Sequence, residues 1–253
     1  MRILREIVKS ILKRLHLIKG RKPVSNESKT VAHYGEAWLS SEIPEKQWAI
    51  AQPQLQKIKS GDLIPEFAGF IRAITTGLRG QVPKDRTLLE IGCSSGYYGK
   101  VLGHSFPEIN YLGVDFSSDF IKFGQDKFPG LALHVEDTTN LSFHDHRFEI
   151  VVSGSVLLHV YEWKIAVRET CRVASDVVII HRTPVSTQAT ALFVKIAYGV
   201  KMIEWTFNEQ ELVDEVLLHN FELIESFPVY SGDEISNDAS MPKQFTYVFR
   251  RIL

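Results

Sequence analysis

Two hydrophobic periods divide the chain. In residues 1–22, Ile3, Leu4, Ile7, Val8, Ile11, Leu12, Leu15 and Ile18 recur three and four apart, which gathers them into one stripe of an amphipathic helix. The polar tract from Gly20 to Thr30, interrupted by Pro23, predicts a linker over 23–30. A helical cap is expected over 31–86, because Pro65 suits a first helical turn and Phe67, Phe70, Ile71 and Ile74 follow at helical spacing. From residue 87 onward, short apolar runs alternate with helical stretches. Leu88–Ile91, Tyr111–Val114, Leu131–Val135, Ile150–Val152 and Val177–Ile180 are the expected strands of a parallel sheet with helices on both faces. The rhythm then breaks. A long segment over 182–206 precedes a helix opened by Asn208, with Glu211 three residues on, and two late strands near Leu223–Val229 and Phe245–Ile252.

Composition narrows the class. The chain has 253 residues, 44% hydrophobic and 23% charged, the balance of an ordinary globular protein, which excludes collagen-like, disordered and disulfide-scaffold readings. Cys93 and Cys171 form no C-x-x-C pair, so no zinc or redox motif is read and a reducing compartment is the simpler assumption. Charge is uneven. Residues 1–22 carry Arg2, Arg5, Lys9, Lys13, Arg14, Lys19, Arg21 and Lys22 against Glu6 alone, a net +7 in a chain of net −1. The body is therefore mildly acidic, and no nucleic-acid partner is expected.

Charges interrupt the N-terminal stripe too often for a membrane span or a signal peptide. Three readings of residues 1–22 stay open: an anionic membrane surface, held by the apolar face plus roughly 1 kcal/mol per cation; packing on the body or on a second copy; and a cleaved organelle targeting segment. The expected location is cytoplasmic, peripheral on the cytoplasmic face of the membrane if the first reading holds. Oligomeric state is not legible.

The strongest chemical signal is LLEIGCSSGYYGKVL, residues 88–102: a strand with an acid near its end, a turn holding Gly92 and Gly96, then a helix. Glycines there permit backbone angles that a side chain opposes and let a ligand approach the main chain. A dinucleotide turn would read G-x-G-x-x-G, but Ser94 and Tyr97 occupy the other two glycine positions, which disfavours NAD. No G-K-[ST] ends the turn, which excludes a P-loop.

This E-x-G-x-x-x-G turn, followed by Asp115 at the end of the second strand in YLGVDFS, resembles the class I S-adenosylmethionine (SAM) dependent methyltransferases, over residues 87–253. The resemblance implies a Rossmann-like seven-stranded sheet, five parallel strands plus a terminal antiparallel hairpin, with SAM as cofactor. It implies that Glu90, Gly92, Cys93, Ser94 and Gly96 line the amino-acid part of SAM and that Asp115, with Phe116 beside it, holds the ribose. A carboxylate suits a diol, since it accepts two hydrogen bonds at once. Ser94 departs from the family's usual middle glycine. The resemblance further implies that Asp137 and Thr138 in VEDTTNLSF meet the adenine, with capping of an exposed turn as the competing role for Asp137. Ser153, Gly154 and Ser155 fall at the carboxyl edge, where open sheets bind ligands.

His159 resembles the histidine found there in small-molecule methyltransferases, and His159 and His181 are the candidate catalytic groups. A histidine in an apolar run such as LLHVY is more often a satisfied structural residue than a base. Methyl transfer from a sulfonium is an in-line displacement governed by proximity and orientation, and a base is needed only for a poor nucleophile such as a sugar hydroxyl. Candidate acceptor-binding residues are Tyr34, Arg182, Tyr198 and Glu204, with Lys201 nearby in the same segment. His181-Arg182 suits an anionic group such as phosphate or carboxylate. His33, Tyr34 and Trp38 could close over SAM or form the aromatic core of the cap. His144-Asp145-His146 falls in a polar turn, and no metal site is assigned. The expected function is methyl transfer to a small molecule, such as a hydroxyl of a sugar or lipid-linked glycan. The alternatives are a membrane-associated scaffold that keeps the fold without turnover and a nicotinamide oxidoreductase.

Overall fold

The computed structural model describes residues 36–58, 60–80, 85–229 and 242–252, together with the backbone of Lys22–Pro23. The expectations for residues 1–21, His33 and Tyr34 lie outside the described residues. Among the described residues, ten strands and six α-helices follow in the order β1 (Lys22–Pro23), α1 (Ile43–Ile58), α2 (Pro65–Gly77), β2 (Thr87–Ile91), α3 (Tyr97–Ser105), β3 (Asn110–Asp115), α4 (Ser118–Lys127), β4 (Leu133–Val135), β5 (Phe148–Gly154), α5 (Trp163–Val173), β6 (Ala174–Ser186), β7 (Ala191–Ala197), β8 (Val200–Asn208), α6 (Glu209–Leu217), β9 (Phe221–Pro228) and β10 (Lys243–Arg251). Two 3-10 turns, Glu36–Leu39 and Leu157–His159, complete the set.

The central sheet runs β4-β3-β2-β5-β6-β10-β9, with β10 antiparallel to both of its neighbours and β2 to β6 mutually parallel. Strand alternation sorts its side chains into two cores. Leu89, Ile91, Val151, Val178 and Ile180 pack under α5 and α6 with Trp163 and Leu212. Leu88, Ile150, Val152, Val177 and Ile179 pack under α2 and α3 with Phe70, Ile74, Val101 and Leu102. Parallel strands buried on both faces account for the continuous apolar runs in the sequence. The predicted cap of α6 forms, with the Asn208 side chain accepting from the Glu211 amide.

The segment over 182–206 departs from expectation. Strand β6 runs on to Ser186, and β7 and β8 form an antiparallel hairpin whose outer strand pairs with β1. Val185–Ser186 join this hairpin to the sheet through Phe207–Asn208 of β8. Its two-residue turn, Tyr198-Gly199, has φ of 54° and 83°, the left-handed pair that a tight hairpin requires. The hairpin stands at the carboxyl end of β6 and supplies one wall of the cavity described below.

Candidate functional site

At the carboxyl ends of β2, β3 and β5 lies a cavity of about 620 Å³, reached by Trp38, α1, α2 and the β7–β8 hairpin. One half is acidic. Glu90 shares the β2 face with Leu88, so α2 and α3 cover it and it is 1% exposed. Burial pushes its carboxyl up to about 8, although the Tyr111 hydroxyl donates to it at 2.5 Å. After β2 the chain turns through Gly92, Ser94 and Gly96, all left-handed, at φ of 67°, 53° and 81°. A side chain at Gly92 would run into Val156, so this loop packs tightly against the one after β5. Ser94 holds the middle position by two bonds: its amide donates to Asp115 Oδ2 at 2.9 Å and its hydroxyl to Gln47 Oε1 of α1 at 2.6 Å. Cys93 is buried and its thiol is pushed well above its ordinary value by burial and the neighbouring acids, which keeps it an inert packing residue.

Asp115 sits at the tip of β3 with Oδ1 accepting from the Ser117 amide at 3.0 Å. Burial raises its carboxyl to about 6, against the pull of the Ser117 and Ser94 amides. Each oxygen keeps a second lone pair for a ligand hydroxyl. Phe116, 44% exposed, borders the cavity next to it. Asp137 caps its own turn, with Oδ1 accepting from the Thr139 amide and hydroxyl at 2.8 and 2.7 Å, and it also borders the cavity. Both roles considered for Asp137 are thus compatible with its position. Thr138 Oγ1 is buried on the cavity wall without a partner among the described residues. A paired-oxygen acid, an unpartnered hydroxyl and a flanking aromatic ring fit a nucleoside with a diol, so the donor set matches SAM.

The other half holds His159, Arg182, Tyr198, Lys195 and Glu204. His159 Nδ1 lies 2.7 Å from the Ile203 carbonyl, which only accepts, so the neutral ring carries its proton there and leaves Nε2 as an acceptor. Burial and the Lys195 charge lower its pKa to about 4, and Trp38 packs edge-on to it at 4.7 Å. Glu204 is 2% exposed and pairs with Lys195 across the hairpin. Lys201 is exposed and does not border the cavity.

Two sequence expectations are corrected. His181 is fully buried and does not border the cavity, because alternation along β6 puts it with Val177 and Ile179 beneath α2. Its Nδ1 meets Thr246 Oγ1 at 2.8 Å and its Nε2 meets the Tyr98 hydroxyl at 3.2 Å, so it positions Tyr98 and has no free nitrogen for a reacting group. Ser153 is still inside the sheet, since β5 runs on to Gly154, and Gly154 and Ser155 take the cavity edge instead. Sequence reasoning missed Gln47, Tyr98, Lys195 and Gln244, of which Tyr98, directly after the glycine turn, was the most visible.

Comparison with known proteins agrees with this geometry. Residues 89–177 match the family model described as a methyltransferase domain. Over these residues the chain is similar to a methyltransferase domain, carried on a fold of the class I SAM-dependent methyltransferase kind. Protein 235L of Invertebrate iridescent virus 6, named as a methyltransferase, is 27% identical over 73 residues. That match covers 29% of this chain and 27% of the viral protein, so the chain spans about a quarter of that relative's length. Two solved structures share the fold of this chain. A SAM-dependent methyltransferase from Methanosarcina mazei has a TM-score of 0.57 at 19% identity, covering 70% of this chain and 97% of its own. The 1,6-didemethyltoxoflavin-N1-methyltransferase of Burkholderia thailandensis, with its substrate and S-adenosylhomocysteine bound, has a TM-score of 0.59 at 13% identity, covering 92% and 95%. No helix among the described residues is long and apolar enough to cross a membrane.

Proposed function

We propose that this chain transfers a methyl group from SAM to a hydroxyl of a small acceptor, with sugars and lipid-linked glycans as the favoured class. The observation that carries the reading is the single cavity that joins the acidic half to a second half containing a neutral, correctly protonated His159. Glu90, Gly92, Ser94, Gly96 and Asp115 are the residues assigned to the donor, with Phe116, Asp137 and Thr138 around its base. When bound, SAM supplies an electrophilic methyl on a sulfonium, and its departure leaves a neutral thioether. His159 Nε2 accepts the acceptor's hydroxyl proton, orienting the oxygen and taking its proton as the new bond forms. Trp38, Tyr198 and the hairpin restrict water.

Support for a surface-bound acceptor comes from β1, which pairs with β7 and so ties Lys22 to the hairpin at the cavity. A lipid-bound segment over residues 1–22, with its net +7, would bring that wall to an anionic surface and place the protein on the cytoplasmic face. In this reading residues 1–22 are an appendage, 23–30 a linker and 31–86 a cap on a transferase domain over 87–253. The test is calorimetric titration of SAM into the wild type and Asp115→Ala. Binding in the micromolar range that the substitution weakens by about 1–3 kcal/mol supports the reading. A folded wild type that binds no SAM overturns it in favour of a scaffold.

A further inference from the structure

The acceptor half contains one feature that neither methyl transfer nor packing requires. In β10, Phe245 pairs with Thr183 and Tyr247 with Ile180, so His181 and Arg182 together stand opposite Thr246. This is a β-bulge, an extra residue that re-aims a side chain at the edge of a site. Arg182 takes the left-handed conformation, φ 53°, which costs a residue with a side chain on the order of 1 kcal/mol or more. Neighbouring bonds hold it there: the Ser155 hydroxyl donates to the Arg182 carbonyl at 3.1 Å and the Ser155 amide to the His181 carbonyl at 2.9 Å. Ser155 is itself left-handed, φ 56°.

The result is a guanidinium facing the cavity with weak company. Its Nε reaches Gln244 Oε1 at 3.4 Å and its Nη1 the Tyr98 hydroxyl at 3.5 Å, both beyond the ordinary range for such bonds. Among the described residues no carboxylate lies within ion-pair distance, and Glu66 acts on it only through space. Every other arginine that the bulge could be compared with in this sheet, Arg250 and Arg251, is tied to carbonyls or an acid. A permanent cation with five donors, held half-buried at the expense of backbone strain and given only long bonds to neutral oxygens, is arranged for an anion that arrives with the substrate.

We propose that Arg182 is a specificity residue that selects acceptors bearing an anionic oxygen group, a carboxylate or a phosphate, with Tyr98 and Gln244 completing the subsite. This inference rests on the proposed function. It deepens that reading by giving the acceptor a charge as well as a hydroxyl. His181 is the positioning residue behind it, fixing Tyr98 from beneath.

The test uses the full chain saturated with S-adenosylhomocysteine, whose affinity is measured first. Acetate and inorganic phosphate are then titrated as probes, with chloride at equal ionic strength as control, and followed by NMR shifts of the Arg side chains. The expected result is saturable binding of at least one probe to the wild type, weakened about tenfold or more in Arg182→Gln, with affinity for S-adenosylhomocysteine unchanged within about twofold. Arg182→Lys separates the two anions. It retains a phosphate as a point charge and loses a carboxylate that needs the planar fork. The proposal is overturned if neither probe binds beyond chloride, or if Arg182→Gln leaves probe binding intact. It is also overturned if that variant loses affinity for S-adenosylhomocysteine instead, since the guanidinium would then serve the donor's own carboxylate. A wild type that binds no S-adenosylhomocysteine is a separate result, which removes the proposed function and this inference with it.

Discussion

Replacing Gly92 by alanine isolates the contact on which the donor half is built. At φ 67° an alanine gives up on the order of 1 kcal/mol in backbone energy. Its Cβ would also stand 2.5 Å from Val156 Cβ and 3.2 Å from Val156 Cγ1, with Val156 Cγ2 closer still, an overpacking that costs roughly 1–3 kcal/mol. Gly92→Ala should therefore destabilise the fold by about 2–4 kcal/mol. The steric share is separable, because it depends on Val156. Val156→Ala removes both methyls but keeps the Cβ at 2.5 Å, so it relieves the clash only in part. Val156→Gly removes the obstruction altogether. In double-mutant cycles the destabilisation should fall short of the sum by about 1 kcal/mol with Val156→Ala and by more with Val156→Gly, leaving the backbone share. The assay is urea unfolding with the slope checked for constancy. Additivity within about 0.5 kcal/mol in both cycles would show that the two loops do not touch, and the close packing of the glycine turn would be wrong.

Other predictions follow from the same cavity. Glu90 is raised by burial from an ordinary carboxyl value to about 8, so between pH 4.5 and 8 the unfolded chain loses a proton that the folded chain keeps. Stability should fall with pH across that window by up to a few kcal/mol, and Glu90→Gln should flatten the decline in urea titrations at pH 5 and pH 8. An unchanged slope in the variant would show that Glu90 is ionised when folded. His159, lowered to about 4, should leave no inflection in kcat between pH 5 and 8, while His159→Ala should lower kcat by about a hundredfold with a hydroxyl acceptor. Equal rates for both proteins would remove its role. At position 94, Ser94→Gly trades the bond to Gln47 for relief of a left-handed serine and should stay within about 0.5 kcal/mol of wild type, whereas Ser94→Ala keeps the strain and should lose about 1 kcal/mol. A reversed order in thermal unfolding would mean that position 94 carries no left-handed strain for glycine to relieve, since both variants lose the hydroxyl.

The central sheet was legible because buried parallel strands announce themselves as β-branched runs, and the turn after Glu90 because glycine spacing is a backbone requirement. The hairpin over β7 and β8 was not. Its strands follow β6 with no proline or charge cluster between them, and the turn signal is a single Tyr198-Gly199 pair inside an apolar stretch. Without the hairpin, the pairing of Lys195 with Glu204 could not be foreseen, since the two are diagonal neighbours across strands and nine positions apart in sequence. His181 and Arg182 failed differently. Adjacent residues in a strand point to opposite faces, so reading them as one anion-binding pair ignored the alternation that buries the first, and only the bulge, invisible in sequence, aims the second.

Backbone strain links these observations. Among the described residues, eight with side chains have positive φ, and four of them, Ser94, Ser155, Arg182 and Tyr198, border the cavity. Each comes from a different loop or strand end, and each is held by a bond or a tight turn: Ser94 by Asp115 and Gln47, Ser155 by the two carbonyls of the bulge, Arg182 by the strand opposite it, Tyr198 by the hairpin. At on the order of 1 kcal/mol apiece, the four consume a sizeable part of the margin by which a domain stays folded. Such a cost persists only where relaxed conformations would point the groups elsewhere. Ser94 relaxed would release the loop from Asp115, and Arg182 relaxed would turn its guanidinium away from the cavity. Ser155→Gly relieves a strained position and removes the hydroxyl that holds the Arg182 carbonyl while keeping the guanidinium, so it should hold or raise stability while weakening acceptor binding, and thermal unfolding of this variant beside its anion affinity reads both at once. A variant that gained stability and kept its anion affinity would show that the strained backbone does not aim the side chain.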